Sequence, residues 1–313
     1  MRVVGVETFG GPEVLRVFEV PEPLAGPGEV RIRVHAATVN PADVGFRAGA
    51  YGDRLTEGRR PPYVPGMEAA GVVDQVGEGV TVVAVGDQVM AIVLPTGPHG
   101  GAYAEKVIVP ARSVVAQPRG VGHAAAATLP MNGLTARMAL DLLALQAGST
   151  LAVTGAAGAV GGYTVQLAKA EGLRVVADAS ASDQDLVRSL GADIVVARGD
   201  DVAARIREVA PEGVEGLVDA AVLGARVLPA VRDGGSVACV RAFDGEPERG
   251  ITIHQVLVAR YATEREKLDS LRQQAEDGVL TLRVARTFPP EQAAEAHRQL
   301  EARGTRGRLV LEL

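Results

Sequence analysis

Several residue types are scarce in this chain, and each scarcity excludes something. There is no tryptophan, and only five phenylalanines and five tyrosines occur, so the core must be built from Val, Leu and Ala. Cysteine occurs once, as Cys239, which rules out an internal disulfide and a thiolate zinc cage. It lies in the apolar run Ser236 to Val240, where strand packing is its expected role. No apolar run reaches the ~18 residues that a membrane span needs. Met1 to Gly10 lacks the basic-then-apolar order of a secretory signal, so the cytoplasm is the expected location. Basic excess is also missing: 38 acidic against 32 basic residues leave a net charge of −6. That balance argues against a nucleic-acid surface, which needs a basic stripe.

What remains is an ordinary globular composition, 47% hydrophobic and 22% charged over 313 residues, long enough for two domains. The first third reads as short strands between turns. Val30-Arg31-Ile32-Arg33-Val34 alternates apolar and charged residues, the period of a half-exposed strand. Further runs at Ala70 to Val76, Gln88 to Leu94 and Tyr103 to Val109 suggest a barrel-like β domain. Ala124 to Leu145 is helical in character, interrupted near Pro130 to Gly133. A strand-then-helix rhythm follows, with apolar runs at 150–153, 174–177, 194–196, 216–218 and 236–240. Segments 160–171, 183–190, 201–209 and 224–231 between them have helix-compatible composition. Alternating units of this kind imply a parallel sheet covered on both faces. Thr263 to Asp277 and Gln292 to Glu301 read as amphipathic helices, and Arg308 to Leu313 as a closing strand.

The motif that points to chemistry is Leu151-Ala-Val-Thr-Gly155-Ala-Ala-Gly158-Ala-Val-Gly161. It follows a predicted strand and opens a predicted helix, the context a phosphate-cradling glycine loop requires. Gly155 permits the tight turn, Gly158 lets a pyrophosphate approach bare backbone, and Gly161 lets helix and sheet pack closely. The helix N-terminus offers unpaired N–H groups and positive potential. The spacing is GxxGxxG, where the common dinucleotide fingerprint is GxGxxG. A bound dinucleotide is the expectation.

Ordered motifs along the whole chain resemble one family. Thr154 to Gly161 is similar to the dinucleotide loop of the zinc-independent quinone oxidoreductases, the zeta-crystallin-like branch of the medium-chain dehydrogenase/reductase superfamily. Phe9 to Leu15, Val39-Asn-Pro-Ala-Asp43, Pro65 to Gly71 and Gly100 to Glu105 match that family's segments in order. So do Ala126 to Pro130, Gly133 to Ala136, Arg188 to Asp193 and Thr305 to Val310. The resemblance implies an α/β protein: a GroES-like β-barrel domain over residues 1–120 and 253–313, interrupted by a Rossmann doubly wound parallel-sheet domain over 121–252. It also implies a cleft between the two for cofactor and substrate, and a homodimer formed through an edge strand near Ile251 to Val258. Thr135, Gly155, Gly158, Ala159, Val160, Gly161 and Arg308 are the residues it assigns to the cofactor.

Zinc-dependent relatives carry an early cysteine and a Gly-His-Glu segment. Asn40 to Asp43 and Gly66-Met67-Glu68 stand there instead, and the five histidines lack ligand spacing, so no zinc is expected. The resemblance places Asn40, Asp43 and Tyr51 in the active-site segment. Asp43 equally suits a cap on the helix or turn after Pro41, and Tyr51 a turn-lining role. Gly45 stands where relatives often carry a tyrosine, removing a phenol and enlarging the site. His99 is either a substrate contact or a surface-loop residue. Hydride transfer from a nicotinamide to a quinone or an α,β-unsaturated carbonyl is the expected reaction. The alternatives are an enoyl reductase for a polyketide-like intermediate and a non-catalytic NADPH-binding protein. At the end of the second Rossmann strand, Asp178 and Ser182 replace a threonine and an arginine common in relatives, which fits NADH. Ser180 is retained and Arg198 could meet a 2′-phosphate, and with the family habit this leans to NADPH.

Overall fold

The computed structural model describes residues 1–52 and 56–313. Seven strands come first: β1 (Arg2–Gly5), β2 (Arg16–Glu19), β3 (Glu29–Thr38), β4 (Glu68–Val76), β5 (Gln88–Ile92), β6 (Lys106–Pro110) and β7 (Val114–Ala116). Helix α1 (Pro41–Arg47) follows β3, and α2 (His123–Ala126) follows β7. After α3 (Pro130–Leu143) the chain alternates: β8 (Thr150–Thr154), α4 (Ala159–Ala170), β9 (Arg174–Ala179), α5 (Gln184–Ser189), β10 (Ile194–Ala197), α6 (Val202–Val209). Then come β11 (Val214–Asp219), β12 (Val231–Cys239) and β13 (Thr252–Gln255). Helix α7 (Arg265–Glu276), β14 (Val284–Phe288), α8 (Ala293–Glu301) and β15 (Arg308–Glu312) complete it. Among the described residues no helix is long and apolar enough to cross a membrane.

The chain divides into two units, Met1–Met131 with Ala262–Glu276 and Leu282–Leu313, and Asn132–Tyr261 with Asp277–Thr281. In the first, β3 is the organising strand, antiparallel to β4, β6 and β15. Val30, Ile32 and Val34 are buried while Arg33 is exposed, as the alternation requires; from Ala36 onward both faces are covered. The sheet runs β14-β15-β3-β4-β5-β7, and β1 and β2 form a separate antiparallel pair. Closing strand β15 lies parallel to β14 and antiparallel to β3. The strand read from Tyr103 to Val109 begins only at Lys106. The Tyr103 backbone is engaged elsewhere, its carbonyl accepting from Val4 N–H and its N–H donating to the Pro65 carbonyl.

The second unit is a six-stranded parallel sheet in the order β10-β9-β8-β11-β12-β13, the Rossmann arrangement. Its strand order reverses between β8 and β11, where such sheets bind ligands beyond their carboxyl ends. Two departures from the sequence reading have local causes. Pro130 to Gly133 belong to α3, because proline is best tolerated in a first helical turn. Residues 224–230 form a 3-10 segment with Pro229 inside, where a missing N–H blocks an α ladder.

Candidate functional site

In the first unit, four buried side chains from three strands and the start of α1 meet. Thr38 ends β3, Asn40 precedes α1, Glu68 opens β4 and Arg308 opens β15, and all are at most 5% exposed. Asn40 Nδ2 donates to Thr38 Oγ1 and Glu68 Oε1, each at 3.2 Å. Arg308 Nη2 donates to the Val39 carbonyl at 2.7 Å, to Thr38 Oγ1 at 3.2 Å and to Asn40 Oδ1. Thr38 donates in turn to Glu68, whose other oxygen accepts the Met131 N–H at 2.7 Å. Burial pushes the Glu68 carboxyl up, against the pull of the Arg308 charge. Both ends of the Asn40 amide are therefore engaged by protein partners, and its orientation is fixed.

Asp43 adjoins this cluster without exposure. Its Oδ2 accepts the Asn40 N–H at 2.8 Å, the reach-back contact of a helix cap, and its Oδ1 accepts the Gly66 N–H at 2.9 Å. Burial raises its carboxyl to about 7, although both N–H groups favour the charged form. Next to it Tyr103 O–H meets His297 Nε2 at 3.3 Å, both fully buried. Burial, then the Asp43 charge, lifts the phenol well above its ordinary value. Burial, then Arg47, drives His297 down to about 3. Tyr51 is half-buried, and its ring packs obliquely on Phe46 at 6.2 Å. A Cβ added at Gly45 would meet Ala50 and Tyr51 at 3.6 and 4.0 Å, ordinary contact distances.

In the second unit, the loop after β8 has the geometry its glycines require. Gly155 has φ +68°, a left-handed turn. A Cβ at Gly161 would lie 2.3 Å from the Gly155 carbonyl oxygen, so only glycine lets α4 approach the strand this closely. Gly158 is the N-cap of α4, and Ala159, Val160 and Gly161 form its first turn, whose N–H groups have no intrahelical acceptor. From the end of β9, Asp178 Oδ1 accepts Gly155 N–H at 2.6 Å and Ala156 N–H at 3.3 Å. The carboxyl is 7% exposed and raised by burial, opposed by those N–H groups and then by the Arg198 charge. Ser180 Oγ lies 3.0 Å from Ser182 Oγ and donates to Asp183. Arg198, exposed, follows β10, while Thr135 is buried on α3.

Across the reversal point, Thr154 Oγ1 donates to Asp219 Oδ1 at 2.7 Å, and both are buried. Asp219 Oδ2 accepts Leu223 and Gly224 N–H at 2.7 and 2.9 Å. The tie braces the loop after β11, which holds exposed Val222 at a positive φ of 60°. These two residues, with Thr38, Glu68, Tyr103, His297 and Asp183, were not singled out as site residues from sequence. Polar residues inside otherwise apolar strand ends, such as Thr38 and Asp219, are the signal that could have found them.

Two family models match, the alcohol dehydrogenase GroES-like domain over residues 26–119 and the zinc-binding dehydrogenase over 190–311. A mycobacterial quinone oxidoreductase of known structure is 31% identical, with a TM-score of 0.84 and all of both chains covered. The chain belongs to the quinone oxidoreductase branch of the medium-chain dehydrogenase/reductase superfamily. Within that branch, the quinone oxidoreductase of Sus scrofa is 29% identical over 332 residues, covering 100% of this chain and 98% of its own. A mycobacterial protein solved in complex with NADPH is 30% identical, with a TM-score of 0.87 and full coverage of both chains. The CurK enoyl reductase structure is 25% identical with a TM-score of 0.88, covering 99% of this chain and 98% of its own. The family makes the chain an oxidoreductase that uses a nicotinamide cofactor. Among the described residues no three His, Cys, Asp or Glu side chains gather as metal ligands.

Proposed function

We propose that the protein transfers hydride from NADPH to a quinone or α,β-unsaturated carbonyl without a metal. The observation that carries the reading is the glycine loop at the reversal point of a parallel sheet, where Gly161 leaves no room for a Cβ and Asp178 holds the Gly155 N–H. The bound dinucleotide supplies the hydride. The first turn of α4 holds the pyrophosphate through Gly158, Ala159, Val160 and Gly161. Thr135, Ser180 and Ser182 complete the polar surroundings. Asp178 is spent on the loop's own N–H groups and Asp183 on Ser180, which leaves exposed Arg198 as the cation for a 2′-phosphate.

Negative charge grows on the substrate oxygen as hydride arrives, so preorganised donors supply much of the rate. Asn40, fixed by Thr38, Glu68 and Arg308, sets the start of α1, and Asp43 braces the same turn against Gly66. Arg308 holds that turn through the Val39 carbonyl and Asn40. Water or the Tyr51 hydroxyl returns the proton. The donor set supports metal-free chemistry: Met67 is buried where a histidine ligand would be needed, and Glu68 is committed to Thr38, Asn40, Arg308 and Met131.

A second reading, reduction of an enoyl group on a natural-product intermediate, draws on Gly45, which removes one phenol common in relatives from the active-site segment, and on the likeness to an enoyl reductase structure. Turnover across quinones, enones and enoyl thioesters separates the two. Consumption of neither NADPH nor NADH with any of them, or loss of turnover on dialysis against a chelator, overturns the proposal. A strong preference for NADH overturns the choice of cofactor.

A further inference from the structure

The first unit contains a cavity of about 410 Å³. Polar and apolar surface line it in similar measure, the apolar part supplied by residues such as Val3, Val20, Pro21 and Tyr63. The charged lining is of one sign. Arg59, Arg60 and His99 face it, and no Asp or Glu is found among the described lining residues. In a chain of net charge −6, that segregation needs a cause.

Arg59 is held rigidly, Nη1 donating to the Pro95 carbonyl at 3.1 Å and Nη2 to those of Thr96, at 2.6 Å, and Gly97. Carbonyl dipoles fix the guanidinium but bring no full counter-charge. Arg60 is exposed, and among the described residues no carboxylate pairs with it. His99 is offset by Glu29 at 2.9 Å, and Glu22, beside Pro21, is turned toward Lys106 and Arg31. The surplus charge is therefore that of the two arginines, together with the Met1 ammonium, which donates to the Val20 carbonyl at 2.8 Å. Planar guanidinium forks match a carboxylate, and half-buried Tyr63 provides aromatic surface for a flat apolar body. A volume of 410 Å³ falls in the range of small-molecule sites.

We propose that this cavity binds an aromatic carboxylate, its ring system against Tyr63 and its anionic end on Arg59 and Arg60. The lining belongs wholly to the first unit and includes neither Asn40, Asp43 and Tyr51 nor the glycine loop. Phe46 of its lining packs on Tyr51, so the site adjoins the active-site segment without including those polar residues.

The probe is 2-naphthoate, titrated calorimetrically into the full chain with and without NADPH, beside neutral 2-naphthamide. One-to-one binding of the acid and none of the amide is expected. Arg60→Ala should weaken binding about tenfold, the loss of one charge-assisted contact. Val20→Trp, which fills the cavity, should abolish it, and both variants should retain wild-type reductase turnover. No binding to the wild-type chain overturns the proposal. So does binding that neither variant changes, or naphthoate acting only as a competitor of the reducible substrate.

Discussion

Asp43 and His297 are buried within one unit and carry opposite pH signatures. An acid whose folded pKa is raised binds an extra proton when folded. Stability attributable to Asp43 is therefore present at low pH and falls as pH rises from the ordinary 3.8 to about 7. Glu68, also raised, adds to the same slope. An imidazole pushed down does the reverse: the His297 contribution increases with pH from about 3 to the ordinary 6.5. Over the shared window the slopes offset one another, so removing one group exposes the other. Asp43→Asn is expected to steepen the increase in urea midpoint between about pH 4.5 and 6.5. His297→Gln is expected to flatten or invert it. Identical profiles for both variants and the wild type would remove these residues from the account.

At the scale of elements, three strands are tied where β3, β4 and β15 present Thr38, Glu68 and Arg308. Breaking a buried pair leaves an uncompensated charge, so Arg308→Ala should lower stability by about 3–5 kcal/mol, read from the denaturation midpoint. A loss below about 1 kcal/mol, typical of exposed pairs, would mean that the cluster does not hold the strands. The loop between β8 and α4 is tested by Gly161→Ala, which puts a methyl group 2.3 Å from the Gly155 oxygen. Dinucleotide affinity should drop at least about tenfold while the stability of the other unit is untouched. That loop was legible from sequence because its three glycines lie within one local window, Leu151 to Gly161, whereas its braces Asp178 and Asp219 lie outside it. The buried cluster was only partly legible: Asn40 finds Glu68 28 positions away and Arg308 268 away, distances that local patterns do not encode. Strand β14 was missed for another reason. Of its five residues only Phe288 is buried, so no alternation marks it.

For the whole molecule, the parallel sheet ends at β13, whose hydrogen-bonding edge away from β12 pairs with no other described strand. Leu257, just beyond it, is 44% exposed. An open edge beside apolar surface invites a two-fold mate, and the expected state is a homodimer. Light scattering on a size-exclusion column should return twice the 32.4 kDa chain mass, and His254→Pro, which introduces a residue unable to donate within the edge strand, should halve it. A wild-type chain already at single mass at micromolar concentration would contradict this. The acidic balance of the chain leaves self-association to edge pairing and apolar contact, so dimer mass should vary little with salt.

Cys239 closes β12 at 3% exposure, with burial and then Asp219 pushing its thiol up to about 12. Such a sulfur stays protonated and shielded at neutral pH, so maleimide is expected to leave the native chain unlabelled, as mass spectrometry would check. A reporter cysteine placed anywhere on the exterior could then be coupled to a dye without first removing the natural one, so motions of the dinucleotide loop become accessible to fluorescence in the unaltered background.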